Sequence, residues 1–195
     1  MARPSVAEAD TVRLKLDGRS ALRLALGFAA AVAFWFVFAT PYERILAAAA
    51  ESLVRVFESP PVTRLIPGEG EIRVERADFP PASPRPGLPT ADTHFNFVLL
   101  AALFAMAPRP LRPRNFGRFW LAAAGLFIVH AVAILFQVES LYALRLGPWS
   151  EAHYGRFAAN FWSAGFHFYQ VAGRFAAPFA LWWLFARPEV ETKRR

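Results

Sequence analysis

Polar residues recur along the C-terminal third of the chain with helical spacing. Between His153 and Arg174 they are separated by alternating steps of three and four positions, and every residue between them is Phe, Trp, Tyr, Ala, Gly or Val. That spacing places the polar residues on one face of an α-helix. The pattern predicts an aromatic helix with a polar seam, made of His153, Arg156, Asn160, Ser163, His167, Gln170 and Arg174.

The first long apolar run is Leu24 to Ala39, which carries no charge and follows Arg23. A secretory signal is one interpretation, but Trp35 and its neighbouring phenylalanines make a poor cleavage region. We therefore predict a retained first transmembrane helix. Charged and apolar residues alternate with helical spacing from Tyr42 to Phe57, so we expect the helix to continue as an amphipathic stretch.

Two more apolar runs follow. Phe95 to Ala107 is too short, at about 1.5 Å per residue, to cross a hydrocarbon core of about 30 Å. We therefore expect this helix to begin at Thr90, a good N-cap. Phe119 to Gln137 is predicted as the third span, with Glu139 to Trp149 as a short outer connection.

The seam belongs to a fourth helix, which Ser150 is predicted to cap. The pattern continues to about Ala186, with a kink expected at Pro178. A helix of about 36 residues is about 54 Å long, so its first turns should stand outside the bilayer.

Residues 59–93 break the apolar pattern and are rich in proline. Apolar residues alternate on both sides of the turn Pro67–Gly70, which predicts a β-hairpin. The following FPPASPRPGLPT is predicted to be an extended, polyproline-like connector that acts only as a spacer.

Composition agrees with a membrane protein. The 195 residues are 55% hydrophobic, with 20 Phe and 6 Trp. The net charge of +7 comes from arginines beside apolar segments and not from a basic helix with interleaved aromatics, so we exclude nucleic acid as a partner. The absence of cysteine excludes disulfides, thiolate metal sites and thiol nucleophiles. Arginines 109, 112, 114 and 118 follow the second run without an acid, which predicts a cytoplasmic loop.

These observations predict an all-α membrane protein with four transmembrane helices, both termini cytoplasmic, and a small outer-face β-hairpin with a Pro-rich insertion. Residue usage rich in Ala, Arg, Gly and Pro is typical of a GC-rich bacterium, so we expect the inner membrane. The predicted organisation is a cytoplasmic tail (1–20), a first transmembrane helix with its amphipathic extension (21–58), an outer hairpin and connector (59–93), a three-helix membrane region (94–186) and a cytoplasmic tail (187–195).

Counting from the basic edges places several polar residues at one depth. Asn96, His130 and Arg174 each lie about 18 to 20 Å above the inner boundary at the helical rise. Arg174 is the costly member, because a guanidinium facing lipid is expensive at that depth. We expect it to point inward, towards neutral partners or backbone carbonyls, or to meet an acidic group of a partner. The predicted intramembrane polar layer is Asn96, His130, Gln137, Gln170 and Arg174.

The seam and this layer have two interpretations. In one, they only hold the helices together through interhelical hydrogen bonds. In the other, they form an outward-facing substrate or catalytic site. Ser163 lies one turn from His167, but serine on such a helix is usually a packing residue. His153 and His167 are about 21 Å apart along one helix, too far to share a metal unless His94 or His130 joins them. We predict no cofactor and no metal, and name His153, Arg156, His167 and Arg174 as candidate catalytic residues.

The order of elements, together with AHYGRF at residues 152–157, resembles the C-terminal half of the exosortase/archaeosortase family. These membrane transpeptidases process C-terminal sorting signals, and the resemblance implies a Cys, an Arg and a His at the outer face. His153 resembles the family histidine. The expected Cys is absent where the second span begins with ADTHFNF, and the third span reads HAVAIL instead of carrying the expected Asn and Arg. The resemblance thus implies a non-catalytic relative of the kind that accompanies some exosortases.

The sequence therefore predicts a non-catalytic accessory or structural subunit of a larger membrane assembly, linked to envelope protein sorting. Its expected partners are membrane lipid and other integral membrane subunits. One alternative is an exosortase-like enzyme whose His/Arg site acts on a peptide or a lipid-linked substrate. A second alternative is an accessory subunit of a light-harvesting or energy-transducing complex.

Overall fold

The computed structural model describes residues 18–68, 70–79, 85–90, 93, 95–106 and 110–186. Most of the predicted N-terminal tail, the whole C-terminal tail, the middle of the Pro-rich connector and His94 lie outside the described residues. The described part is mostly helical and contains one small sheet.

The first element, α1, is a single helix from Gly18 to Phe57 that includes Pro41. It covers both the apolar run and the amphipathic stretch. After the proline, α1 buries one face almost completely, through Leu46, Ala47, Ala50 and Val54. Their spacing of one, three and four residues keeps these side chains on one side of the helix.

The sheet begins with the hairpin expected from the sequence. β1 (Thr63–Pro67) pairs antiparallel with β2 (Glu71–Arg76), and Gly70 takes a positive φ of 76° in the turn between them. The connector was predicted only as a polyproline-like spacer, which is wrong at its end. Gly87–Pro89 forms a third strand, β3, against β2. The pairing satisfies the second edge of β2 and buries Leu88.

One face of this sheet packs on the helices. Every second residue of the strands is buried there, and these side chains form a core with the C-terminal half of α1 and with Val138 and Tyr142 of the third helix. The inward residues are Thr63, Leu65, Ile72, Val74, Arg76 and Leu88.

α2 spans Asn96–Ala105 and starts later than the sequence predicts. Thr90 is not its N-cap, because the helix begins at Asn96 and Phe95 occupies the N-cap position. The Thr90 hydroxyl is buried and donates a hydrogen bond to Glu43 of α1. The Thr90 carbonyl accepts from the Thr93 backbone N–H, at 2.8 Å.

α3 runs from Pro113 to Arg145, well beyond the predicted span 119–137. The predicted outer connection at 139–149 is therefore largely helical. α4 (Pro148–His153) follows after Gly147, whose φ of 59° turns the chain.

Ser150 was predicted to cap the last long helix, and this is also wrong. Its hydroxyl donates to the Tyr142 carbonyl at 2.6 Å and accepts from the Leu146 N–H at 3.0 Å, which ties α4 to the end of α3. The last helix begins at Arg156. It consists of α5 (Arg156–Phe168), a π-helical turn (Tyr169–Gly173) and α6 (Arg174–Ala186). His153 is therefore not on the same helix as the rest of the seam.

Two of the described helices are long and apolar enough to cross a membrane, Ala21–Phe57 and Pro113–Arg145. α2 is apolar but only 10 residues long. A second core lies where α2, α3 and α6 meet, built around Phe97, Leu100 and Leu126. It is separate from the core beneath the sheet, so the bundle is held at two levels.

Candidate functional site: a buried polar network beneath an outer cleft

A hydrogen-bonded chain of polar side chains crosses the centre of the bundle. The Tyr42 hydroxyl of α1 lies 2.6 Å from His130 Nδ1 on α3, and His130 Nε2 lies 2.7 Å from Asn96 Oδ1 on α2. His130 has no solvent exposure at all. Three helices are thus joined through one imidazole.

The network determines which ring nitrogen of His130 carries the proton. Asn96 uses its amide nitrogen to donate to a backbone carbonyl, that of Arg174, at 2.9 Å, so Asn96 Oδ1 faces the ring as an acceptor. Nε2 must then carry the proton, and Nδ1 accepts from the Tyr42 hydroxyl. The neutral tautomer satisfies both ring nitrogens, as a fully buried imidazole requires.

The Asn96 contact to Arg174 repairs a defect in the last helix. Pro178 lies inside α6 and has no N–H, so the carbonyl four residues before it, that of Arg174, loses its helical donor. The Asn96 amide replaces that donor. A helix tolerates an internal proline where a neighbouring side chain supplies the missing hydrogen bond.

Tyr169 extends the network to the N-terminal end of α2. Its hydroxyl donates to the Thr93 carbonyl at 2.8 Å and lies 3.4 Å from Asn96 Nδ2, which donates to the hydroxyl oxygen. Tyr169 is buried within the π-helical turn. A π-helical turn is wider than an α-helical one, and here it brings the Tyr169 side chain to the level of Asn96.

The predicted polar layer is divided by the structure. Asn96 and His130 are hydrogen-bonded to each other, and Arg174 contributes its carbonyl to the same network. The Arg174 guanidinium lies 4.8 Å from the ring centre of Phe175, and its Nε is buried without a hydrogen-bond partner among the described residues. Gln137 lines a cleft between the sheet and the helices. Gln170 is half-buried in the π-helical turn.

A buried ion cluster fastens the sheet to the helices. Arg76 on the inward face of β2 contacts Glu58 at 2.5 Å and Asp78 at 2.9 Å, and its side chain is only 5% exposed. Its guanidinium also lies 5.0 Å from the ring centre of Tyr142 and 4.9 Å from that of Trp149. A charge buried beneath the sheet is thus compensated by two acids and two aromatic faces.

Hydrogen bonds continue from this cluster into the helices. The Thr63 hydroxyl contacts Glu58, and it lies 2.8 Å from the Tyr142 hydroxyl. The Tyr154 hydroxyl donates to Glu139 Oε2 at 2.7 Å, and burial together with this contact raises the pKa of Tyr154. Glu139 Oε1 is buried with no hydrogen-bond partner among the described residues.

Asp78 is the titratable member of the cluster nearest to solvent. The hydrogen bond from Arg76 lowers the pKa of Asp78, since it stabilises the carboxylate form. The Asp78 side chain is 40% exposed, so solvent screens this interaction more than the contact of Arg76 with Glu58.

An open cleft of about 780 Å³ lies between the sheet and the helices. One wall is the segment from Pro86 to Pro89, and the other comes from the C-terminal ends of α3 and α5 and from α4. The lining is mainly aromatic and aliphatic. Its polar members include Asp78, Gln137, Ser140, Arg145 and His167.

Of the candidate catalytic residues, only His167 lines this cleft. Its Nδ1 lies 2.7 Å from the Ser163 carbonyl and therefore carries the proton. That proton leaves Nδ1 unable to accept from the Ser163 hydroxyl, 3.3 Å away, so Ser163 and His167 are not arranged as a nucleophile and its base.

The other candidates lie apart. His153 stacks on Trp149 with ring centres 4.2 Å apart, and its Nδ1 donates to the Trp149 carbonyl at 2.8 Å. Arg156 is exposed at the start of α5, and Arg174 lies below, beside the π-helical turn. Within the described part of the chain, no three His, Asp or Glu side chains are grouped to hold a metal ion.

Comparison with models of known families, with curated proteins and with solved structures finds no match for this chain.

Sequence reasoning missed Tyr42, Tyr169 and the Arg76 cluster. A signal existed for Arg76, because it follows Ile72 and Val74 at steps of two and therefore falls on the inward face of β2. Tyr42 carries no comparable signal, since its role depends on the packing of α1 against α3.

Proposed function

We propose that this protein is a non-catalytic accessory subunit of a bacterial inner-membrane assembly. Its helices hold a small outer module, formed by the sheet and α4, above the membrane, and this module contacts other subunits. The observation that carries the proposal is that the polar side chains of the bundle form hydrogen bonds within the protein. The best-connected groups, Tyr42, His130 and Asn96, are consumed by hydrogen bonds that join helices, and the exposed histidines bond to carbonyls of their own turns.

The proposal includes four membrane-embedded segments with both termini in the cytoplasm. α1 and α3 are each long enough to cross a bilayer. α2, followed by the arginine-rich segment around Arg112, and the helix from Arg156 to Ala186 supply the two remaining passes. The surface of α1 supports this placement, because its apolar window has no part buried inside the protein and so suits contact with lipid.

The resemblance to exosortases supports an accessory role in envelope protein sorting. The chain has no cysteine, so it cannot supply the family's thiol nucleophile. The enzyme alternative needs His153, Arg156, His167 and Arg174 to act on one substrate, and the geometry does not favour it.

The test is purification of the full chain from native membranes in mild detergent. We expect one or more integral membrane subunits to co-elute in fixed proportion, and the same subunits to co-elute with His153→Ala and His167→Ala. Loss of the cellular phenotype in either variant, at normal protein level and with the partners still bound, would favour the enzyme alternative. A wild-type protein that elutes without any partner would refute the accessory role.

A further inference from the structure

No described strand pairs with the edge of β3 that faces away from β2, and the pairing with β2 shows which groups point to this free edge. The Val74 N–H donates to the Pro86 carbonyl at 2.9 Å, and the Thr90 N–H donates to the Gly70 carbonyl at 3.0 Å. Pairs bonded in this way alternate with unbonded pairs in an antiparallel ladder. Leu88, opposite Ile72, therefore also directs its polar groups toward β2.

The intervening residues direct their polar groups away from β2. Gly87 and Pro89 stand opposite Arg73 and Glu71 in unbonded pairs. The Gly87 N–H, the Gly87 carbonyl and the Pro89 carbonyl thus point to the open side of the sheet. None of these three groups has a hydrogen bond to another described residue. An exposed edge of this kind is a template for another strand.

This free edge forms a wall of the outer cleft. Gly87, Leu88 and Pro89 line the cleft on the sheet side, and Trp149 and Phe166 line it on the helix side. Its volume of about 780 Å³ suits a short extended segment. A strand added to β3 would therefore have backbone partners on one side and aromatic surface on the other.

One charge in the cleft favours an occupant that carries a carboxylate. Asp78 already accepts two hydrogen bonds from Arg76, which it shares with Glu58. Arg145 lines the cleft, is exposed at the end of α3 and has no ion pair with any described residue. A carboxylate of the occupant would supply that missing counter-ion.

We infer that the outer cleft binds an extended segment of a partner polypeptide that carries a carboxylate, and that this segment adds to β3 as a fourth antiparallel or parallel strand. The inference rests on the proposed function and names the kind of partner that an accessory subunit would hold. The Gly87 N–H and carbonyl and the Pro89 carbonyl supply the main-chain hydrogen bonds, and Arg145 pairs with a carboxylate of the segment. This is recognition by strand addition.

A phospholipid phosphate would also satisfy Arg145. A phosphate would not form main-chain hydrogen bonds with the free edge of β3, whereas an added strand would. The two occupants are therefore distinguished by a substitution that removes only the outward N–H.

Gly87→Pro is that substitution. It deletes the one N–H on the free edge and leaves the hydrogen bonds between β2 and β3, since Gly87 makes none of them. Proline is tolerated on the open side of an edge strand. Gly87→Ala is the matched control, because its Cβ meets the same Glu71 carboxylate but the N–H remains.

The experiment selects short random linear peptides displayed on phage against the full chain in lipid nanodiscs. We expect enriched peptides to share an acidic residue at one position and to bind Gly87→Pro at least about tenfold more weakly than Gly87→Ala. Arg145→Gln should weaken the same peptides, and a peptide N-methylated at alternate residues should bind in only one of the two methylation registers. Equal binding to Gly87→Pro and Gly87→Ala, or no enrichment, overturns the inference. Competition by anionic lipid vesicles without any effect of Gly87→Pro assigns the cleft to a phospholipid.

The outcome is independent of the test of the proposed function. If membrane partners co-purify with both Gly87→Pro and Gly87→Ala while selected peptides bind neither, the accessory role stands and strand addition fails. If no partner co-purifies with the wild-type chain, the accessory role fails whatever the peptides do.

Discussion

At the residue scale, His130 shows how a polar side chain is stabilised in the middle of an apolar bundle. It has no solvent exposure, and each ring nitrogen has a partner on a different helix, Tyr42 on one side and Asn96 on the other. A buried polar group costs free energy when its partner is lost, and the cost exceeds the net contribution of the intact hydrogen bond. Substitutions in this network should therefore be strongly coupled.

We expect His130→Leu to lower the free energy of unfolding by about 2 to 5 kcal/mol, because it removes a partner from both Tyr42 and Asn96. Tyr42→Phe should cost about 0.5 to 2 kcal/mol. The double variant should lose less free energy of unfolding than the two single variants together. In His130→Leu the Tyr42 hydroxyl has lost the imidazole, and Tyr42→Phe then removes that hydroxyl. Tryptophan fluorescence during unfolding in mixed detergent and SDS micelles measures all three. The control is His167→Leu, an exposed position where the change should be within about 0.5 kcal/mol.

The carboxyl of Asp78 should make the outer module sensitive to acid. Its pKa is lower in the folded protein than in the unfolded chain, so its stabilising effect is complete above the unfolded pKa of about 3.9 and is lost as pH falls through the folded pKa. Thermal unfolding between neutral and strongly acidic pH should show this loss below about pH 4. Asp78→Asn should flatten that part of the profile, and an unchanged profile would contradict the assignment. The effect should be modest, because the side chain is partly exposed.

At the scale of elements, a helix defect and a side chain on its neighbour compensate each other. Pro178 leaves the Arg174 carbonyl without a helical donor, and Asn96 supplies one. Neither residue predicts the other from the sequence, because 82 positions separate them (178 − 96).

We expect Asn96→Leu to cost less stability in a Pro178→Ala background than in the wild type. Alanine at position 178 restores the backbone N–H, so the carbonyl of Arg174 no longer needs the Asn96 amide. The loss of the acceptor for His130 is common to both backgrounds and cancels in the double-mutant cycle. A coupling of about 0.5 to 2 kcal/mol is expected from unfolding measurements. A coupling of zero would show that the Asn96 contact does not serve the helix defect.

The attachment of the sheet to the bundle depends on Arg76. Arg76→Leu leaves Glu58 buried without its cation, which should cost about 3 to 5 kcal/mol. Arg73→Leu is the control on the same strand, because Arg73 faces outward and its pair with Glu71 is exposed. Limited proteolysis of the outer module should be much faster in Arg76→Leu than in the wild type and unchanged in Arg73→Leu. Equal rates in the two variants would mean that the buried cluster does not hold the sheet.

At the scale of the whole molecule, the proposed topology is open to direct test because the chain has no native cysteine. Single cysteines at Glu75, on the sheet, and at Arg112, before α3, should lie on opposite sides of the membrane. We expect a membrane-impermeant maleimide to label Glu75→Cys from the outer side of the inner membrane, and Arg112→Cys only after detergent is added. Labelling of both positions from one side would exclude the proposed arrangement.

Sequence patterns predicted the elements well where they reflect which side chains are buried and which face solvent. Long uncharged runs predicted helices in α1, α2 and α3, and alternation around Gly70 predicted the hairpin, because burial of apolar side chains repeats with the geometry of each element. The ends of elements were predicted poorly. Thr90 and Ser150 have the residue type of an N-cap, but their hydroxyls bond to Glu43 and to the Tyr142 carbonyl instead.

The sequence by itself determined the mostly helical character, the small hairpin and the absence of cysteine chemistry in this chain, since these follow from composition and from spacing along the chain. Only the tertiary structure decided which polar groups meet. It brought Asn96 to His130 and to the carbonyl exposed by Pro178, turned β3 into an edge that lines a cleft, and separated His153 from the helix of His167. The physical reason is that hydrogen bonds between distant segments depend on how the helices pack. Such packing produces no repeating pattern of residues in the sequence.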